Sequence, residues 1–147
     1  MRGQETVSVG AKSRLVFPSL YREHFKGNLI ITYGFENSLI ATGELFWNEF
    51  VQKEVGSKSF LQEEVRDLRR FFLGGTATIE FDEQGRFILP EYLREYAKIA
   101  SGEKAVFVWQ REYIEIWSES LWKVKQKHLL SHIAKIATAL QKKENNG

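Results

Sequence analysis

Two short strand-like segments open the chain. Residues 6–9 alternate polar and apolar positions, residues 15–17 are all apolar, and a Gly-Ala-Lys-Ser-Arg turn joins them at residues 10–14. Pro18 ends the second segment because it has no N–H for a strand ladder and its fixed φ suits a first helical turn. The pattern predicts a strand, a tight turn, a second strand and a short helix over residues 19–25.

The same order of elements returns in the second half of the chain. Residues 13–25 align without a gap on residues 85–97, so that Arg14 matches Arg86 and Pro18 matches Pro90 at an offset of 72. The second copy predicts strands at 76–81 and 86–89, a turn at 82–85 and a helix at 91–99. Repetition at a fixed period indicates one supersecondary unit that is used twice.

Each half continues with two more predicted strands and a closing helix. The first half has strands at 29–33 and 39–41 and a helix that begins near Glu44. The second half has strands at 105–109 and 113–117 and a helix that begins near Glu119. The offset here is 75, which pairs Trp47 with Trp122 and places a small insertion near residues 101–103.

Two segments have apolar residues at i, i+4, i+7 and i+11, as an amphipathic helix does. The first predicts a linking helix that ends at Gly74-Gly75, and its apolar residues are Leu61, Val65, Leu68 and Phe72. The second belongs to the last helix, with Leu129, Ile133, Ile136 and Leu140. The polar residues 141–147 predict a frayed tail.

Composition narrows the class of protein. Each half would be only marginally stable alone, so the two halves of this 147-residue chain should pack together. No apolar run is long enough for a membrane span and no signal peptide opens the chain, while the absence of Cys fits a cytoplasmic protein. The 21 basic and 19 acidic residues nearly balance, but the segment from Glu119 onward has six Lys and two Glu.

The repeated turn, apolar triplet, Pro and short helix, joined by Arg-Arg-Phe-Phe-Leu-Gly-Gly-Thr-Ala at residues 69–77, resemble the MraZ family. Residues 33–37 and the strand at 114–117 extend the resemblance to nearly the whole chain. It implies an α+β, β-rich fold of two tandem, pseudo-symmetric AbrB-like swapped-hairpin, double-psi-like β-barrel halves with peripheral helices. It also implies a ring-shaped homo-oligomer that binds promoter-proximal direct repeats of double-stranded DNA near a cell-division and cell-wall gene cluster.

The resemblance also implies which residues contact DNA. They are the basic residues in and beside each turn, here Lys12, Arg14 and Arg86, with Gln84 at the position that matches Lys12. The first turn departs from the family pattern, because it has Gly10 where Asp is usual and Ser13 where Gly is usual. If Ser13 adopts a positive φ, the strain is of the order of 1–3 kcal/mol.

Residue spacing alone also allows simpler roles for these side chains. The two turn arginines could form salt bridges with Glu5, Glu80 or Asp82, and Arg22 and Arg94 are expected to form helix-surface ion pairs or subunit contacts. His128 and His132 share a helix face, but without Cys or a His-Glu-x-x-His motif we expect a solvated or packing pair and no metal site. Trp47 and Trp122 are expected to pack in the core or an interface.

We predict no enzyme, since the chain has no Walker loop, nucleophile elbow, dinucleotide fingerprint or Cys/His pair, and we expect no cofactor and no small-molecule ligand. The predicted parts are AbrB-like domains at 4–47 and 75–118, linking helices at 48–74 and a basic helix with its tail at 119–147. The predicted function is that of a cytoplasmic, nucleoid-associated transcriptional regulator that binds DNA sequence-specifically and represses transcription by occupying promoter-proximal repeats. The alternative is an oligomeric module that binds proteins, DNA or acidic surfaces without sequence preference through the basic C-terminal helix.

Overall fold

The computed structural model describes residues 1–25 and 27–147. Strands in this part of the chain are β1 (Gln4–Ser8), β2 (Arg14–Val16), β3 (Leu29–Tyr33), β4 (Leu39–Gly43), β5 (Ala77–Thr78), β6 (Arg86–Ile88), β7 (Lys104–Trp109) and β8 (Ile114–Ser118). The α-helices are α1 (Ser19–His24), α2 (Glu44–Val51), α3 (Glu63–Phe72), α4 (Glu91–Ala97) and α5 (Glu119–Asn146). The α+β, β-rich class expected from the sequence is confirmed.

The two halves exchange strands. Six strands form one antiparallel sheet in the order β1-β7-β8-β4-β3-β5, and β2 and β6 form a separate two-stranded ribbon. Strand β1 of the first half thus pairs with β7 of the second, while β5 of the second half pairs with β3 of the first. Each N-terminal strand pair therefore finds its partners in the other half, which is the expected swapped arrangement.

A pseudo-two-fold axis relates the halves. In the ribbon, Arg14 lies opposite Ile88 and Val16 lies opposite Arg86, so that each strand makes the same pairing with its counterpart. Leu15 and Phe87, which match in the repeat, face each other at the centre. The pairing of β4 with β8 repeats this geometry around Ile40 and Glu115. The internal repeat of the sequence is therefore a symmetry of the structure.

One hydrophobic core is shared by both halves. Leu15 and Phe87 turn their side chains inward from the ribbon and are almost fully buried. Phe17 packs edge-to-face on Phe107 with ring centroids 5.2 Å apart, which joins the end of the ribbon to the large sheet. Because each half supplies part of one core, the marginal size of either half alone is overcome by their packing.

The tryptophans of the closing helices are packing residues, as expected. Trp47 on α2 and Trp122 on α5 are both buried against the large sheet. The Trp122 indole N–H also donates to the side-chain oxygen of Gln4 at 3.2 Å, which ties α5 to β1. After α2 the chain makes a wider, π-helical turn at Gln52–Gly56 that the sequence pattern does not predict.

Three predicted boundaries are wrong. The tail expected to fray is helical, because residues 141–144 are good helix formers and continue α5 to Asn146. The strand predicted at 76–81 pairs only over Ala77–Thr78, since the chain then leaves the sheet toward the ribbon. The linking helix begins at Glu63, so that Leu61 lies outside it and is 78% exposed, whereas Val65 and Phe72 are buried as predicted.

Candidate nucleic-acid interface

The β2–β6 ribbon has one buried face and one exposed face. Successive side chains of a strand point to opposite sides, so Leu15 and Phe87 enter the core while their neighbours face outward. The outward set consists of Arg14, Val16, Arg86 and Ile88, which we call the ribbon face. An antiparallel pair with this alternation is able to present charged side chains without disturbing its own core.

The ribbon face combines charge with exposed apolar surface. Val16 is 46% exposed and Ile88 is 60% exposed, although both are strand residues with bulky aliphatic side chains. Because the pairing is pseudo-symmetric, each of these residues lies directly across from an arginine of the other strand. The face therefore alternates aliphatic and guanidinium groups. A rotation of 180° about the pseudo-two-fold axis brings this pattern approximately onto itself.

The turn before Arg86 is built around the carboxylate of Asp82. One carboxylate oxygen accepts the backbone N–H groups of Gln84 and Arg86, each at 2.9 Å, and the other accepts the Arg86 Nε–H at 2.8 Å. Gly85 takes a φ of +77°, which closes the turn without steric strain. Three hydrogen bonds stabilise the carboxylate and lower the pKa of Asp82. The bond from the Arg86 backbone N–H has the largest effect, followed by those from the Arg86 side chain and the Gln84 N–H.

The turn before Arg14 has no such carboxylate. Gly10 occupies the position of Asp82, although its N–H still donates to the carbonyl of Arg14 at 2.8 Å. Two consecutive residues, Lys12 and Ser13, take positive φ values of 59° and 57°. The strained conformation anticipated for Ser13 is therefore present, and the Ser13 N–H donates to the Ser101 hydroxyl at 3.2 Å.

The two arginines consequently have different surroundings. Arg86 forms an ion pair with Asp82, as one simpler alternative for this residue predicted. The Arg14 side chain forms no hydrogen bond or ion pair with any residue that the structure describes. Both arginines line an open depression of about 350 Å³, together with Glu80, Phe81, Asp82, Phe87 and Ile88. The fold thus brings the two predicted arginines, 72 positions apart in the sequence, to one surface.

Lys12 and Gln84 lie at opposite ends of the ribbon, each exposed in the turn that leads into its strand. All four predicted contact residues are therefore accessible on or beside one ribbon. The sequence analysis missed Val16 and Ile88. The sequence did indicate that both side chains are exposed. Each lies between two apolar residues of a short strand, and because successive side chains point to opposite faces, it faces outward when those two neighbours face the core.

Arg22 packs against the turn that precedes Arg86. Its guanidinium lies over the Phe81 ring, 5.3 Å from the ring centroid, in a cation–π contact. A side chain at Gly85 would meet this guanidinium, since a Cβ there would come within 2.3 Å of its Nη1 atom. No carboxylate of the described residues pairs with Arg22, so the helix-surface ion pair is not formed and the alternative, a subunit contact, stays a prediction.

The histidine pair on α5 is a surface feature. The rings of His128 and His132 stack with centroids 4.3 Å apart, and both residues are exposed. Within residues 1–25 and 27–147 no three His, Cys, Asp or Glu side chains form a group that could hold a metal ion. The same part of the chain contains no helix long and apolar enough to cross a membrane.

Comparison with known proteins decides the family. The model of the MraZ protein family matches residues 72–143. A protein from Acetivibrio thermocellus named "Transcriptional regulator MraZ" is 36% identical over 120 residues, which is 82% of either chain. The chain belongs to the MraZ family. MraZ relatives with the same name from Desulforamulus reducens and Pseudomonas putida F1 are both 35% identical, and the aligned parts again cover 82% of each chain.

A search of solved structures gives a more distant similarity. The solution structure of PHS018 from Pyrococcus horikoshii shares 17% sequence identity and covers 78% of this chain and 85% of its own, with a TM-score of 0.32. The MraZ assignment therefore depends on the sequence relatives and the family model.

Proposed function

We propose that this chain is a sequence-specific DNA-binding transcriptional regulator that uses the ribbon face to contact DNA. The relatives are named transcriptional regulators, and the observation that carries the proposal here is the pair of arginines on one exposed face of a two-stranded ribbon. The major groove of B-DNA is about 12 Å wide and admits a two-stranded β-ribbon. Proteins that read DNA with a ribbon in the major groove are one of the established recognition classes.

Each residue of the interface has a distinct role in this proposal. Arg14 and Arg86 donate to guanine O6 and N7, a pairing that the planar guanidinium makes with two hydrogen bonds. Lys12 and Gln84 bind backbone phosphates at the two ends of the ribbon and fix its register. Val16 and Ile88 supply apolar surface that suits thymine methyl groups in the same groove.

Affinity then comes from repetition. One nearly neutral chain offers few contacts, but a homo-oligomer that touches successive direct repeats gains by effective concentration, which can raise avidity about 10²- to 10⁴-fold. We propose a ring-shaped homo-oligomer bound to promoter-proximal repeats of a cell-division and cell-wall gene cluster. Occupancy of such repeats would repress transcription by blocking polymerase.

The test is a salt-titrated binding assay with two DNA duplexes of equal length. One carries the tandem repeats from upstream of the protein's own gene, and the other carries their scrambled sequence. We expect strong preference for the repeats and affinity that falls as salt rises, because bound cations are released from the phosphates. Arg86→Ala should lower the preference about 10- to 100-fold and leave the oligomer intact. Arg69→Ala removes an exposed arginine of α3, outside the ribbon, and should change little.

A second function is favoured by the charge of α5. Lys127, Lys135 and Lys142 lie on one side of this helix, and this side could bind acidic surfaces or DNA without sequence preference. Equal binding to both duplexes, lost on Lys135→Glu and retained on Arg86→Ala, would favour this second function over the first.

A further inference from the structure

Four basic side chains line an open depression beside α3. Its volume is about 420 Å³, which lies within the range of roughly 300–1,000 Å³ that is common for small-molecule sites. We call its lining residues the α3 patch, and they are Gly56, Lys58, Phe60, Arg66, Arg69 and Arg70. None of these six residues is acidic, so the charge of the α3 patch favours an anionic ligand.

The arginines of the α3 patch share one side of the helix. At about 100° per residue, Arg66, Arg69 and Arg70 occupy an arc of roughly 100°, and the acidic residues of α3 fall on a separate arc of about the same width. Asp67 forms an ion pair with Arg70 at 2.8 Å, but both side chains remain largely exposed, so this pair is weak. The patch together with this carboxylate has a net charge of three positive units.

An exposed aromatic ring lies beside these cations. The Phe60 side chain is 66% exposed, although the backbone that carries it is held in place. The Arg66 guanidinium donates from Nη1 to the carbonyl oxygens of Phe60 and Leu61, at 2.9 Å and 3.0 Å. The Ser59 hydroxyl accepts the backbone N–H of Leu61 at 3.3 Å. The loop therefore keeps an accessible ring next to the positive charge.

Two cations of the α3 patch have no use inside the protein. The side chains of Lys58 and Arg69 are exposed and form no ion pair with any residue of the described part of the chain. Basic residues in the last turn of a helix interact favourably with its dipole, which accounts for Arg69 and Arg70. It does not account for Lys58 or for the exposed ring of Phe60, which both precede the helix. A ligand that has phosphates and an aromatic ring would use all of them.

We propose that the α3 patch binds a nucleoside polyphosphate. Its base stacks on the Phe60 ring, and its phosphates accept hydrogen bonds from Lys58, Arg69 and the remaining N–H groups of Arg66 and Arg70. The patch shares no residue with the ribbon face, so this site goes beyond the proposed function. It is also a ligand that the sequence does not lead us to expect.

The ratio of charge to aromatic surface favours a free nucleotide over a nucleic-acid strand. A single strand has about one negative charge per base, and proteins that bind it supply aromatic side chains on which successive bases stack. The α3 patch has three net positive charges and one aromatic residue, Phe60. One base with several phosphates matches this composition, whereas a run of bases does not.

Titration calorimetry of the full chain with three probes separates the two halves of the site. The probes are ATP, inorganic tripolyphosphate and adenosine, each titrated at low salt without DNA and without divalent cations. We expect ATP to bind about tenfold more tightly than tripolyphosphate, because the base adds stacking on Phe60. Adenosine should bind too weakly to measure, since it has no charge for the cations to bind.

Substitutions in the patch should change the two affinities differently. Arg69→Ala should weaken ATP and tripolyphosphate alike, by about tenfold, because it removes a charged donor to phosphate. Phe60→Leu should lower the ATP affinity to that of tripolyphosphate and leave tripolyphosphate unchanged, whereas Phe60→Tyr should retain the wild-type affinity for both. Arg111→Ala is the matched control, since it removes an exposed arginine of the turn between β7 and β8 and should change neither affinity.

Several results would overturn the proposal. They are the absence of ATP binding at millimolar concentration, equal losses in Arg69→Ala and Arg111→Ala, and equal losses of ATP and tripolyphosphate affinity in Phe60→Leu. Tighter binding of single-stranded oligoadenylate than of ATP, at equal nucleotide concentration, would assign the patch to a strand and refute the free nucleotide.

Folding of each variant is checked by circular dichroism and the thermal midpoint. If Arg69→Ala does not fold, Lys58→Ala in the exposed loop replaces it with the same expected result. Because the titration contains no DNA, its outcome is separate from the preference for repeats. A protein that prefers the repeats but does not bind ATP would retain the proposed function and refute this site.

Discussion

The two turns of the ribbon occupy equivalent positions but hold their arginines differently. The second turn places Asp82 so that its carboxylate fixes both the backbone and the side chain of Arg86. The first turn has Gly10 instead, and the side chain of Arg14 has no hydrogen-bond or ion-pair partner among the described residues. The comparison teaches that one motif can supply an arginine held by an ion pair and an arginine without one on the same surface. A held guanidinium loses less side-chain entropy when it binds, whereas an unpaired one can adapt to its target.

The largest expected effect is on DNA binding. Arg14→Ala and Arg86→Ala should each lower specific affinity about 10- to 100-fold, which corresponds to about 1–3 kcal/mol for a base contact. Arg86→Ala should lower the affinity more than Arg14→Ala does, because it leaves the Asp82 carboxylate unpaired beside DNA phosphates. The double variant Asp82→Ala/Arg86→Ala should recover part of that loss in the same salt-titrated assay, and equal affinities of the three variants would mean that the turns do not differ in function.

The next effect is on stability. Gly85→Ala should lower the free energy of unfolding by about 1–2 kcal/mol, because a residue with a Cβ is disfavoured at positive φ and the new methyl group meets Arg22. Gly10→Ala is the matched control, since Gly10 has an extended backbone and a Cβ there would have an ordinary contact with the Arg14 carbonyl. Urea denaturation of both variants measures the difference, and equal losses would contradict the assignment of strain to the second turn.

A smaller change should stabilise the first turn. Ser13→Gly relieves one positive-φ residue and should raise stability by about 0.5–1 kcal/mol, less the extra entropy of Gly in the unfolded chain. For a chain of this length that is a thermal midpoint higher by about 2 °C. A lower midpoint would show that the Ser13 side chain makes a compensating contact.

The smallest expected effect is on the stability of the folded protein at acidic pH. The folded state lowers the pKa of Asp82, so the stabilisation is present above the ordinary Asp pKa of about 3.9 and is lost as pH falls through the lower, folded-state value. Asp82→Asn should thus unfold at lower urea than wild type at neutral pH, and the gap should narrow in acid. A gap that stays constant with pH would mean that the charge of Asp82 contributes nothing to stability.

The local elements of this chain were largely predictable. The Pro and Gly residues that flank each short strand and the repeat between residues 13–25 and 85–97 indicated the ribbon strands and their turns, and the positive φ of Ser13 followed from its match with a glycine. The contact of Arg14 and Arg86 with DNA was implied by the family resemblance and stays a prediction, although the fold does bring both side chains to one surface. These features depend on neighbouring residues, so the sequence carries their signal.

Features that depend on distant partners were predicted less well. The ion pair of Arg86 was one of several open alternatives, because nothing in spacing alone separates Glu80 from Asp82. The exposure of Ile88 depends on which face of a three-residue strand meets the core, and that is set by strands of the other half. The straight extension of α5 to Asn146 follows from helix propensity that the polar composition of residues 141–147 obscured.

The pseudo-symmetry of the ribbon has a consequence for the direction in which it can lie on DNA. A surface with true two-fold symmetry looks the same from either end of a duplex and suits an inverted site. Here the ends differ, with Lys12 beside an uncharged Gly10 at one and Gln84 beside Asp82 at the other. The two ends of the ribbon are therefore not equivalent. If the ribbon binds DNA as proposed, the end with Lys12 would favour phosphates more than the end with Asp82, and each copy would have one preferred orientation along the double helix. Direct repeats, in which the DNA sites are arranged head to tail, would match this preferred orientation.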